Sequence, residues 1–246
     1  MLFRSITGGN VSFYNETLGK SIYPTPVIGV LGILEDASRV MKIGFRAERD
    51  VIVLLDGAAA LSGAQSATVG RHAEPLRGTE QEFSSSEYSK TIGGIVAGEP
   101  PAIDLAAEKR LQECLIALAN SGSVHSAHDV SDGGIAVTLA ESCFASAGRH
   151  AAPTLGAHVQ LDETSSAEYA LFGERGARAV VSVPRSSVGA VLETARQYGV
   201  TAQQIGHAIH GDGFRIEYKG SAVVESSVAK LHEAWAHSLE RTLTAS

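Results

Sequence analysis

Two segments of the 246-residue chain combine residue types that could handle a phosphorylated group. The first is Thr7-Gly8-Gly9-Asn10-Val11-Ser12-Phe13-Tyr14-Asn15-Glu16. If the stretch after Gly9 is extended, Asn10, Ser12, Tyr14 and Glu16 share one face and Val11 and Phe13 the other. Adjacent glycines bring backbone amides close to a phosphate, and an Asn side-chain oxygen is a hard ligand for Mg²⁺ held mainly by substrate phosphates. The same pattern also suits a tight turn leading into a strand whose polar side faces solvent.

The second segment, His128-Asp129-Val130-Ser131-Asp132-Gly133-Gly134, stands where a helix is expected to begin. Glycine amides at a helix N-terminus attract anions, but Asp129 and Asp132 repel a bare phosphate unless a cation mediates. The loop Asp129, Asp132, Gly133 and Gly134 therefore reads as a Mg-bridged contact, or as helix capping by Ser131 or Asp132. His128 suits a structural hydrogen bond better than general-base work, since the sequence sets no nucleophile beside it. Ser84-Ser85-Ser86-Glu87-Tyr88 reads as a helix cap, with a polar binding loop as the alternative. In Leu171-Phe172-Gly173-Glu174-Arg175-Gly176-Ala177-Arg178, a surface ion pair of Arg178 with Glu174 is expected ahead of a phosphate contact. Neither a nucleophilic triad, a zinc site nor a dinucleotide-binding fingerprint is present.

The elements that must hold these segments follow from apolar spacing. Residues 1–36 read as two strands, the second being the apolar run Val27 to Leu34 after Tyr23-Pro24-Thr25-Pro26. Val51 to Leu55 reads as a core strand, and the Gly/Ala/Ser-rich tract from Ala58 to Gly70 as a loop. Leu111, Cys114, Leu115 and Leu118 predict a helix from Asp104 to Ser121-Gly122, and Ile135, Leu139 and Phe144 a second one after Gly133-Gly134. A strand over Arg178–Val183, a helix through Val188, Val191, Leu192 and Ala195, and a strand over Phe214–Tyr218 come next. Val224, Val228, Leu231, Trp235 and Leu239 suggest one long final helix with Trp235 in the core. Strands mixed with helices, without repeats, indicate an α+β fold, an α/β sandwich on a mixed β-sheet.

Composition narrows the classes. A net charge of -7 and a sequence pI near 5.7 offer no electrostatic footprint for nucleic acid. The apolar runs are too short for a membrane span. Cys114 and Cys143 both fall in helical patterns, which argues against a disulfide scaffold and for a reducing, cytoplasmic setting. No secretory signal is expected from the residues after Met1.

In order, GGNVSFYNE, IYPTPVIGVLG, SSEY, HDVSDGGIAVTLAE, LFGE and RAVVSV resemble the C-terminal part of the phosphoribosylformylglycinamidine synthase family, within the aminoimidazole ribonucleotide synthetase-like superfamily. The resemblance covers nearly the whole chain. It implies the end of a nucleotide-binding A domain over residues 1–36 and a C-terminal B domain over 37–246. The enzymes it resembles are ligases of purine biosynthesis. They use ATP and Mg²⁺ to activate the amide oxygen of formylglycinamide ribonucleotide as an iminophosphate, which ammonia from a glutaminase domain or subunit displaces. Matched to the family's motif, Gly9 would contact ATP, Asn10 would bind Mg²⁺ and Ser12 would touch the ribonucleotide.

This sequence departs from the family at Ser85, where a Gly is usual, and at Arg175-Gly176-Ala177, where Ser-Gln-Ser is usual. Met1 to Ser5 do not fit the alanine-rich helix that precedes TGGN, which suggests a truncated gene model. No catalytic residue is expected in this chain, because the family's catalytic His belongs to an N-terminal domain. The chain therefore reads as a part of the enzyme, inactive alone, with a non-catalytic binding module of the same fold as the alternative.

Overall fold

A computed structural model describes residues 8–9, 16–22, 26–34, 36–58, 83–95, 97–147, 154–163 and 165–244. The chain divides into two compact units, Met1–Ala37 and Ser38–Ser246.

In the first unit, β1 (Glu16–Thr17) and β2 (Lys20–Ser21) form an antiparallel hairpin. Leu18 and Gly19 make the turn with φ of 53° and 74°, the positive pair that a two-residue hairpin loop requires. Val27 to Leu34 is not a strand, contrary to the expectation. Val27, Leu31 and Ile33 are 94%, 97% and 95% exposed. Aliphatic composition alone does not make a strand: a ladder must take up the backbone N–H and C=O groups, and none of the described strands pairs with this run. The Tyr23-Pro24-Thr25 break and the Ala59–Gly70 part of the expected loop lie outside the described residues.

The second unit is a seven-stranded mixed sheet in the order β4-β6-β3-β7-β5-β8-β9, antiparallel except for the parallel β5/β8 pair. Its strands are β3 (Val51–Asp56), β4 (Ser126–Asp129), β5 (Leu155–Leu161), β6 (Arg178–Val183), β7 (Thr201–His210), β8 (Gly213–Tyr218) and β9 (Ser221–Ser227). Strand alternation sends Ile52 and Leu54 to one face and Val53 and Leu55 to the other. Helices cover both faces, so β3 reads as a continuous aliphatic run. On the first face pack α3 (Gly134–Ala147), α4 (Ala167–Phe172) and α6 (Val228–Ala236), through Ile135, Leu139, Leu171 and Val228. On the second pack α2 (Leu105–Ser121) and α5 (Val188–Gln197), through Leu111, Cys114, Leu118, Val191 and Ala195.

Helix α2 begins and ends where the spacing placed it. Asp104 accepts from the Ala106 and Ala107 amides, and Gly122 closes the helix in the left-handed region. The short α1 (Glu87–Gly93) is capped by Ser86, as expected of the serine run. The single long final helix is corrected by the structure. Val224 lies in β9 opposite Ile216, the Ser227 hydroxyl caps a helix that starts only at Val228, and that helix stops at His237 before α7 (Ser238–Thr244). Valines at positions 224 and 228 meet the same core from a strand and from a helix, and their spacing mimics one helical face. Trp235 is also corrected: it is 54% exposed, stacked on His232 and tilted against Phe144 at the margin of the core.

Candidate functional site

The Asp129–Gly134 loop leaves the end of β4 and enters α3, and four contacts fix its path. The Val130 amide donates to Arg178 O at 3.0 Å, extending the β4/β6 ladder by one rung. The Thr138 hydroxyl, one turn into α3, bonds Asp129 O at 3.0 Å. The Gly134 amide closes a turn on Ser131 O. The Gly133 amide donates to Glu174 Oε1 at 2.8 Å. Both glycines have positive φ, 77° and 67°, and a Cβ on Gly134 would stand 2.6 Å from Leu171 O and 2.7 Å from the Phe172 Cα. The loop thus needs glycine at 134 for two reasons, backbone conformation and the close passage of α4.

This arrangement leaves Asp129 and Asp132 on the outside. The Asp129 side chain is 75% exposed, and its Oδ1 lies 3.2 Å from His128 Nδ1. The other ring nitrogen of His128 meets Glu141 Oε2 at 3.0 Å, and Glu141 Oε1 accepts from Trp235 Nε1 at 3.1 Å. His128 is therefore a structural hydrogen-bonder, as its surroundings in sequence suggested. The expectation of capping by Ser131 or Asp132 is replaced. The carboxylate that meets the amide at the start of α3 belongs to Glu174, forty-one residues along the chain.

The Gly173–Arg178 segment is a buried polar junction. Arg178 does not form the expected surface pair with Glu174. It is only 6% exposed and donates to Gly173 O at 2.6 Å and to Arg175 O at 3.4 Å. Burial, with the neighbouring Arg175 charge, pulls Arg178 down to about 10. Arg175 instead grips the Asp56 carboxylate at the end of β3 with both terminal nitrogens. Burial disfavours the Arg175 charge, and the bond to Asp56 together with the attraction of Asp56, Tyr169 and Glu163 outweighs it, so its pKa is raised. Glu108 of α2 holds the Ala177 amide, whose residue adopts φ 58°, and Arg110 donates to Gly57 O at 2.7 Å. Beside this junction lies a cavity of about 270 Å³ lined by Pro101, Asp104, Glu108, Glu174, Arg175 and Ala177.

Sequence reasoning missed the roles of Asp56, Glu108 and Glu174. No local signal marked them, because each acts on a segment far along the chain: Asp56 on Arg175, Glu108 on the Ala177 amide and Glu174 on the Gly133 amide. Of the other expected site residues, Gly9 lies in the first unit, exposed and with no atom within 4 Å of where a Cβ would stand. Asn10 and Ser12 lie outside the described residues. Two exposed carboxylates at the loop suit a divalent cation bound chiefly by phosphate oxygens, as Mg²⁺ is. Among the described residues, no three His, Cys, Asp or Glu converge as a cage of their own.

Comparison with known proteins places the chain. Residues 48–219 match the model of AIR synthase related protein, C-terminal domain. Phosphoribosylformylglycinamidine synthase subunit PurL from Caldanaerobacter subterraneus subsp. tengcongensis is 37% identical over 230 residues, 94% of this chain and 27% of that protein. The Chlorobaculum tepidum protein of the same name is 39% identical over 97% of this chain and 29% of its own length. This chain therefore spans little more than a quarter of these curated relatives. Solved structures of Thermotoga maritima PurL share the fold. The complex with ATP superimposes at TM-score 0.55 and 19% identity over 79% of this chain and 27% of that one. The complex with FGAR does so at 0.54 and 21%, over 79% and 30%. With a family model that matches well over half of its residues, the chain belongs to the AIR synthase related family and carries its C-terminal domain.

Proposed function

We propose that this chain is the carboxy-terminal portion of a phosphoribosylformylglycinamidine synthase, a cytoplasmic ligase that amidates formylglycinamide ribonucleotide. The observation that carries the reading is 37% identity to PurL subunits over 94% of the chain, with the glycine-asparagine and aspartate-glycine motifs in the same order as in that family. Residues 1–36 are then the end of a nucleotide-binding A domain, and 37–246 the B domain. In the complete enzyme the amide oxygen of the ribonucleotide attacks the γ-phosphorus of ATP and ADP leaves. Ammonia from a glutaminase domain or subunit then displaces phosphate to give the amidine. ATP with Mg²⁺ supplies the phosphoryl chemistry. Gly9 offers backbone to ATP, Asn10 an oxygen to Mg²⁺ and Ser12 a hydroxyl to the ribonucleotide.

Phosphoryl transfer needs nucleotide, acceptor and metal held in line by groups on several sides, so the chain alone forms one wall of a site and is inactive. The test measures phosphate release by this chain and by the complete synthase, with ATP, Mg²⁺, ammonia and the ribonucleotide. Ribonucleotide-dependent release is expected from the complete enzyme only, and Asn10→Ala is expected to lower Mg-ATP use there with little loss of stability. Ribonucleotide-dependent turnover by the isolated chain, abolished by Asn10→Ala, would contradict the incomplete-site reading.

A further inference from the structure

We propose that Glu174 is a positioning residue: its carboxylate sets the Asp129–Gly134 loop in the conformation that presents Asp129 and Asp132. The proposal rests on the functional reading above and adds to it a residue outside the glycine-asparagine and aspartate-glycine motifs. Glu174 Oε1 accepts from two backbone amides of distant segments, Gly133 at 2.8 Å and Glu87 at 2.9 Å. Those amides belong to the turn before α3 and to the first residue of α1, so one oxygen ties two helix starts together. The carboxylate takes the amide that an unguarded helix start offers to an incoming phosphate. A bare anion therefore finds the Gly133 amide already occupied, and a phosphate approaching this loop meets Asp129 and Asp132, which call for a cation between.

Glu174 is itself held on a rigid base. It follows Phe172 and Gly173 at the end of α4, where Phe172 stacks on Tyr88 of α1 with centroids 4.6 Å apart, and Tyr169 meets Phe83 edge-on at 5.7 Å. Arg178 fixes Gly173 O from below at 2.6 Å. Leu171 O and the Phe172 backbone sit against Gly134, so the strip that carries Glu174 also shapes the second glycine of the loop. Partners that orient a site's own residues without touching the ligand typically change metal affinity or activity by about 10–100-fold when removed.

The experiment combines two measurements on Glu174→Ala and Glu174→Gln. In the 246-residue chain, amide hydrogen exchange is followed at Gly133 and Glu87, with amides of β3 as the internal standard. In the complete synthase, KM for Mg-ATP and kcat are measured with ammonia as nitrogen donor. Glu174→Ala is expected to speed exchange at both amides but not in β3, and to raise KM for Mg-ATP about tenfold with a smaller change in kcat. Glu174→Gln keeps an oxygen acceptor and is expected to restore most of both. Unchanged exchange at Gly133 in Glu174→Ala would overturn the brace. Faster exchange with unchanged KM would make Glu174 a local strut and overturn its positioning role. A wild-type synthase without ammonia-dependent turnover would sink the functional reading instead, and the exchange result would still decide the brace by itself.

Discussion

Two aliphatic runs of this chain have opposite environments. Val51-Ile52-Val53-Leu54-Leu55 is flanked by β6 and β7 and sandwiched between two helical layers, with Ile52, Val53 and Leu55 at 0% exposure. Val27 to Leu34 carries six branched aliphatics interrupted by Gly29 and Gly32, and its large side chains stand in solvent. Gly29 and Gly32 weaken the strand preference of the exposed run, and it also lacks the partner ladder and covering helices that Val51 to Leu55 has. Apolar composition becomes a core strand only where a ladder and a covering layer bury it.

The largest effect that sharpens this contrast is a paired truncation. Leu55→Ala removes a fully buried side chain from the face shared with Leu111, Leu118 and Val181, and is expected to cost about 2–5 kcal/mol. Leu31→Ala, in the exposed run, is expected to stay within about 0.5 kcal/mol. Chemical denaturation of both variants checks the pair, and comparable losses would show that the exposed run is buried in solution. Next in size is association. A contiguous exposed aliphatic run is a sticky surface, so sedimentation of the isolated chain is expected to show concentration-dependent self-association that Leu31→Asp with Ile33→Asp weakens. A chain that stays monomeric across a wide dilution series would break the comparison.

Most of the elements on the second helical face were legible in the sequence, because α2 and α5 show clear apolar periodicity and α2 carries true caps in Asp104 and Gly122. Strands β7 and β9 were not. Thr201–His210 carries glutamines, histidines and few aliphatics, and it forms a central strand only because β3 and β5 supply ladders on both sides. The loop glycines at 133 and 134 were legible as a helix start. Glu174 and the Asp56–Arg175 pair were not, since they join residues 41 and 119 positions apart. Sequence spacing reports neighbours along one element, and these contacts exist only after separate elements meet.

A third prediction compares the two faces of the sheet through their single cysteines. Cys114 of α2 and Cys143 of α3 are both fully buried, and burial pushes their thiols up from 9.0 to about 11 and about 12. A raised folded value means that the fold favours the neutral thiol. That contribution is complete below pH 9, declines as pH rises above it, and is lost through pH 11 for Cys114 and 12 for Cys143. Neither thiol is expected to react with a disulfide reagent at neutral pH until the chain unfolds. Rapid labelling of either in the native chain would show that its face opens.

The smallest expected effect, that of Glu141→Ala, is read against a buried neighbour at the margin of the first face, where Phe144 and Trp235 touch but differ in role. Phe144 is 9% exposed within the core, whereas Trp235 is more than half exposed and tied to α3 by the bond from Nε1 to Glu141. Truncating a buried aromatic typically costs about 3–5 kcal/mol, and one exposed hydrogen bond contributes about 1 kcal/mol or less. Phe144→Ala should therefore unfold the domain at much lower denaturant than wild type. Glu141→Ala should leave the midpoint almost unchanged and release the indole. Trp235 is the sole tryptophan, so its emission reports this release directly, as a shift to longer wavelength in Glu141→Ala. Trp235→Phe keeps a six-membered ring against Phe144 and His232 and loses the indole N–H with part of the ring surface, so its loss of stability should be at least that of Glu141→Ala and well below that of Phe144→Ala. If Glu141→Ala instead lost as much stability as Phe144→Ala, with the indole emission unmoved, the Glu141 carboxylate would be holding α3 and the Asp129 loop through His128, and α6 would be docked by its apolar residues alone.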